Sequence, residues 1–109
     1  MIEVTVFHSN QGICAFSLKG HSGYAEEGSD IVCEAVSSIA QYVIEALTKT
    51  VKVPSRYECR EGLITFSLAE SATEEQKQRV QDFLIPFETV MQELSSQYGA
   101  YLKICSLEV

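Results

Sequence analysis

The sequence predicts an α+β fold: a single layered domain in the order ββαββαβ, with a mixed, mainly antiparallel sheet and two helices packed on it. Three observations carry that expectation. Short apolar–polar alternations come in pairs, separated by turn residues. Each pair is followed by a long stretch whose apolar residues recur at helical spacing. The chain has 109 residues and no low-complexity linker, so one domain, 1–109, is the natural division.

Residues 2–8 set Ile2, Val4 and Val6 against Glu3, Thr5 and Phe7, the pattern of a strand with one apolar face. Asn10-Gln11-Gly12 makes a hairpin turn, and His8 sits beside it as a solvated or hydrogen-bonded strand residue. Residues 13–19 form the second strand. Strict alternation puts Cys14, Phe16 and Leu18 on one face and Ile13, Ala15 and Ser17 on the other.

A helix is expected from about Asp30 to Lys49. Ile31, Val32, Ala35, Val36, Ile39, Ala40, Val43, Ile44 and Leu47 cover an arc wider than one stripe. Such a helix is buried on the sheet and has a second covered side, suited to another subunit. Pro54 ends the helical region. Residues 56–60 and 63–69 make a second hairpin about Glu61-Gly62, with Cys59 as a strand residue of no chemical role. Thr73-Glu74-Glu75-Gln76 is a capping-box start. Val80, Phe83, Leu84, Phe87, Val90, Met91, Leu94 and Tyr98 then form a core stripe, which Pro86 should kink or split. Residues 100–107 make the last strand, with Leu102 and Ile104 on one face and Tyr101, Lys103 and Cys105 on the other.

The chemistry concentrates between the second strand and the first helix, in residues 20–37. Strand two delivers His21 at its end, and the helix delivers Cys33 in its first turn, with Ser29 or Asp30 as N-cap. A helix N-terminus offers unpaired N–H groups and a partial positive charge, both of which favour thiolate over thiol. Cys33 as nucleophile and His21 as its base is the reading this placement supports. The opposing term is the ring of acids: Glu26, Glu27, Asp30 and Glu34 raise a thiol's pKa unless they face water or orient the histidine. Asp30 caps the helix or orients His21, and Ser37, one turn beyond Cys33, supports the sulfur or back-bonds to its own helix. Gly20, Ser22, Gly23, Tyr24, Gly28 and Ser29 form a substrate-binding loop whose glycines permit movement.

The formal net charge is −7 and the sequence pI about 4.7. Nucleic acid and anionic membrane surfaces want a basic face, so neither is expected as a partner. No apolar stretch is expected to reach the roughly 18 residues of a membrane span, and the N-terminus lacks the pattern of a signal peptide. A cytoplasmic protein with four reduced cysteines follows from this reading. Those cysteines, at 14, 33, 59 and 105, include no C-x-x-C pair, and no Gly-rich phosphate loop or serine elbow is present. No metal or other cofactor is expected.

Gly20-His21, Gly28, Asp30-Ile31-Val32-Cys33 and Ala35-Val36-Ser37 together resemble the ribosomal-processing cysteine protease family, Prp. Length and element order extend the resemblance over most of the chain. Ser22 and Glu34 stand where that pattern more often has alanine or another small residue. The resemblance implies a cytosolic bacterial cysteine endopeptidase whose histidine and cysteine are His21 and Cys33. It also implies the substrate, the N-terminal extension of large-subunit ribosomal protein L-twenty-seven, which an acidic surface would steer. A homodimer is expected from the broad apolar arc of the first helix. Two other classes remain: a non-catalytic module that grips a basic ribosomal tail, and a thiol-based redox or acyl-transfer protein.

Overall fold

The computed structural model describes residues 1–20 and 30–109. Among them are five strands, β1 (Ile2–Ser9), β2 (Gly12–Lys19), β3 (Ser55–Arg60), β4 (Leu63–Leu68) and β5 (Leu102–Glu108). The helices are α1 (Asp30–Glu45), α2 (Glu74–Arg79) and α3 (Gln81–Gln97). The strands form one sheet in the order β3-β4-β2-β1-β5. All neighbours are antiparallel except β1 and β5, which run parallel because helical crossover chain precedes β5.

One face of the sheet carries the core. Val4 lies opposite Leu18 on β2 and Ile104 on β5, and Val6 lies opposite Phe16. Val32, Val36, Ala40, Val43 and Ile44 from α1, with Leu84, Phe87 and Met91 from α3, close over them. Phe16 stacks between Phe66 (ring centroids 5.7 Å) and Phe87 (4.3 Å). Burying a side chain of that size contributes about 2–3 kcal/mol.

Three expectations need correction. Strict alternation in β2 fails at a β-bulge: Phe7 pairs with Ala15 and His8 with Ile13, leaving Cys14 without a partner residue. Ile13 therefore turns into the core, 3% exposed, and Cys14 leaves it, its Sγ 3.6 Å from the Phe7 carbonyl oxygen. The side chain of Gln81 fixes this step: Oε1 accepts from the Ile13 N–H and Nε2 donates to the Ile13 carbonyl, both at 2.9 Å.

The second correction concerns Pro86. The helix breaks at Val80 instead, whose carbonyl accepts from both Phe83 and Leu84, and α3 runs on through Pro86. Pro86 and Asp82 are both exposed, so the Asp82 carbonyl that loses its helical donor can be hydrated. The break lets α2, capped by Thr73 and Gln76, lie over the β1–β2 turn, where Gln11 bonds Glu74 and Lys77.

The third concerns the first helix. Ile31–Thr50 is 20 residues long and apolar enough by length and composition to cross a membrane, contrary to the expectation of no such stretch. Here its buried side is the roof of the core. The helix does not stop because of Pro54. It widens into a π-turn, Ala46–Thr50, and Lys52 then takes a left-handed φ of 62°. The Val53 N–H reaches back to the Leu47 carbonyl at 3.0 Å, a closure one residue wider than the 6→1 bond of a Schellman ending.

Candidate active site

α1 starts at Asp30, so Cys33 falls in its first turn. Within a helix that begins at Asp30, the N–H groups of Asp30, Ile31 and Val32 have no helical partner four residues earlier, and Cys33 follows them directly. The thiol is partly buried and packs against the core on its inner side. Its outer side lines a cleft of about 600 Å³. Ser37 and Gln41 follow Cys33 along the same flank of α1 and line the same cleft, with Glu34 and Ser38 at its edge.

The floor is apolar and comes from strand ends: Ile2, Leu18 and Ile64. The facing wall is the β3–β4 hairpin, from Cys59 through Leu63. Gly20 closes one end. Its φ is +94°, and a Cβ there would stand 2.6 Å from the Met1 carbonyl oxygen, so no other residue fits without strain. The Gly20 N–H donates to the Gly62 carbonyl at 3.0 Å, which ties the last turn before His21 to the hairpin wall. Gly62 also has a positive φ, 80°.

Of the residues singled out in the sequence, the structure brings Gly20, Cys33 and Ser37 to one cleft, and makes Asp30 the first residue of α1. His21, Ser22, Gly23, Tyr24, Gly28 and Ser29 lie outside the described residues. The hairpin wall was not foreseen. Cys59, expected to have no chemical role, lines the same cleft as Cys33. Burial first, and the Glu45 carboxylate second, push the Cys59 thiol above its ordinary pKa. Its position was readable only from pairing: Cys59 lies opposite Ile64, whose side chain faces the core, so Cys59 shares the helix-covered face. His8, at the far end of β1, hydrogen-bonds Glu88 at 2.7 Å, and Glu88 also accepts from Ser106. That trio joins β1, α3 and β5 and takes no part in the cleft.

A thiol in the first turn of a helix, on the wall of a cleft with an apolar floor, defines a candidate thiol hydrolase on an α+β scaffold. The comparisons narrow the class. The family model "Cysteine protease Prp" matches residues 1–103. The ribosomal processing cysteine protease Prp of Bacillus subtilis (strain 168) is 30% identical over 84 residues, 74% of this chain and 75% of that protein. The chain belongs to the Prp family and is a cysteine protease.

Solved structures share the fold. SMU.848 from Streptococcus mutans superposes with a TM-score of 0.84 at 22% identity, covering 100% of this chain and 99% of that one. The ribosomal processing protease Prp from S. aureus, in complex with a substrate peptide, gives 0.80 at 16% identity over 97% and 99% of the two chains. The same protease with a covalently linked product peptide gives 0.74 at 18% identity, over 97% and 99%.

Proposed function

We propose that this protein removes the N-terminal extension of large-subunit ribosomal protein L-twenty-seven during ribosome assembly, with Cys33 as nucleophile and His21 as general base and acid. The observation that carries the reading is Cys33 in the first turn of α1, on the wall of a 600 Å³ cleft, in a chain of the Prp family. The name of the Bacillus subtilis relative, a ribosomal processing protease, supports the substrate class.

In this mechanism the Cys33 sulfur attacks the scissile carbonyl carbon, and His21 takes the thiol proton. Backbone N–H groups at the start of α1 hold the oxyanion. The C–N bond breaks as His21 gives its proton to the leaving amine, and a thioester remains on Cys33. Water, deprotonated by His21, attacks the thioester; the acid product leaves and the thiol is restored. Asp30 caps α1 or orients His21, and Ser37 supports the sulfur. The loop 22–29, with Ser22, Gly23, Tyr24, Gly28 and Ser29, closes over the peptide. The enzyme works in the cytoplasm, as a homodimer.

The test is a mass-resolved digest of the host's L-twenty-seven precursor under reducing conditions, with wild type, Cys33→Ala and His21→Ala. One new N-terminus with wild type, and none with either variant, is the expected result. Cleavage that survives Cys33→Ala removes the cysteine from the mechanism. An intact precursor with all three leaves a module that grips the basic tail.

A further inference from the structure

We infer that Gly20 and Gly62 are positioning residues for the base: with the Met1 carbonyl, they fix the direction in which the chain leaves β2 toward His21. The inference rests on the protease reading and adds the residues that aim the histidine. His21 follows Gly20 directly in the sequence, so the backbone at Gly20 sets where the histidine begins.

Gly20 is held on two sides. On one, its N–H donates to the Gly62 carbonyl at 3.0 Å, one residue beyond the last register pair of β2 and β4, Lys19 with Leu63. On the other, a Cβ at Gly20 would stand 2.6 Å from the Met1 carbonyl oxygen. That carbonyl cannot simply retreat. The same peptide unit turns its N–H, that of Ile2, to the Tyr101 carbonyl at 2.9 Å. Three segments far apart in sequence, the start of β1, the β3–β4 turn and the chain entering β5, thus meet around the residue before His21.

The conformation of Gly20 points the same way. Gly12 and Gly62 also have positive φ, but each closes a hairpin, where short connections ask for it. No hairpin follows Gly20, and the next described residue is Asp30 at the start of α1. A φ of +94° at that point serves to turn the chain out of the sheet in a set direction. Gly62 also lines the cleft, so the wall that meets the peptide and the tie that aims the base are one piece of chain. Misplacing a base acts on the chemical step, so a disturbed tie lowers kcat more than it raises KM.

The experiment uses the whole protein. Iodoacetamide alkylation of Cys33 is followed against pH, beside Tm and beside kcat and KM on a peptide spanning the cut junction of the host precursor. His21→Ala defines what loss of the base does to the Cys33 profile. Gly20→Ala and Gly62→Val should move the profile toward that of His21→Ala and lower kcat by about tenfold to a hundredfold, with KM within about threefold. Gly62→Asn, which tolerates a left-handed φ, should keep kcat within about threefold of wild type. Gln81→Ala, at the other end of β2, controls for stability alone: it should lower Tm and leave the profile in place. If Gly20→Ala does not fold, the two Gly62 variants decide. A wild-type profile and kcat in Gly62→Val, with Tm lowered as in Gln81→Ala, overturns the inference and leaves the protease intact. So does a Gly62→Asn as slow as Gly62→Val, because the loss then follows a side chain in the cleft and not the backbone direction. A Cys33 profile and a cleavage rate that His21→Ala does not change remove the histidine from the protease reading, and the inference with it.

Discussion

Two thiols line the cleft in different surroundings, and the difference is measurable. Cys33 belongs to a helix start, whereas Cys59 sits on an edge strand with Glu45 of α1 within electrostatic reach. Desolvation and that carboxylate both disfavour the Cys59 thiolate, so at a given pH less of it is present than on an unstructured peptide. Alkylation by iodoacetamide, followed peptide by peptide, should therefore rise for Cys59 at higher pH than for a model thiol. Glu45→Gln removes the charge and leaves the burial. The Cys59 profile should then move part of the way back to lower pH. A profile identical to wild type would mean that the Glu45 charge does not reach the sulfur. Cys33 was legible in the sequence because a helix start is a local signal. Cys59 was not, because its place in the cleft depends on pairing with β4.

At the scale of elements, the hairpin β1–β2 shows what alternation can and cannot predict. The strands themselves were legible, since Ile2, Val4 and Val6 alternate cleanly and all three are buried. The face of Ile13 was not. Its direction is set by the bulge at Cys14, and the bulge is held by Gln81, 68 residues away. The position of the helix break has the same character: Pro86 is the visible breaker, but the chain turns at Val80, where α2 must cross the hairpin turn and α3 must lie on the sheet. Gln81→Ala leaves the Ile13 N–H and carbonyl without partners in a part-buried setting, at a cost of about 1–3 kcal/mol. For a domain of this size that lowers Tm by roughly 4–8 °C per kcal/mol. Thermal unfolding checks it. An unchanged Tm would show that the bulge holds without this side chain, through Gly12 and the Ser9 turn bonds alone.

Among the described residues, α1 carries more apolar surface than its own sheet covers. Val32, Val36, Ala40, Val43, Ile44 and Leu47 face the core, yet Ile31 is 62% exposed and Tyr42 71% exposed on the opposite side of α1. They lie 11 residues apart, three helical turns, with Ala35 and Ser38 between them on one stripe. We propose that this stripe pairs α1 with α1 of a second copy about a twofold axis. The cleft lies on another flank of the same helix, so pairing would anchor the element that carries Cys33 and leave Glu34 and Gln41 accessible to peptide. Light scattering at micromolar concentration should give a species of twice the 12.1 kDa chain mass. Ile31→Glu/Tyr42→Glu should return it to the single-chain mass, because a pair of carboxylates brought against their symmetry mates would be desolvated without partners. A wild-type protein that scatters at 12.1 kDa refutes the dimer outright. A double variant that still dimerises moves the interface away from α1, with the unpaired edge of β3 or β5 as the next surface to change.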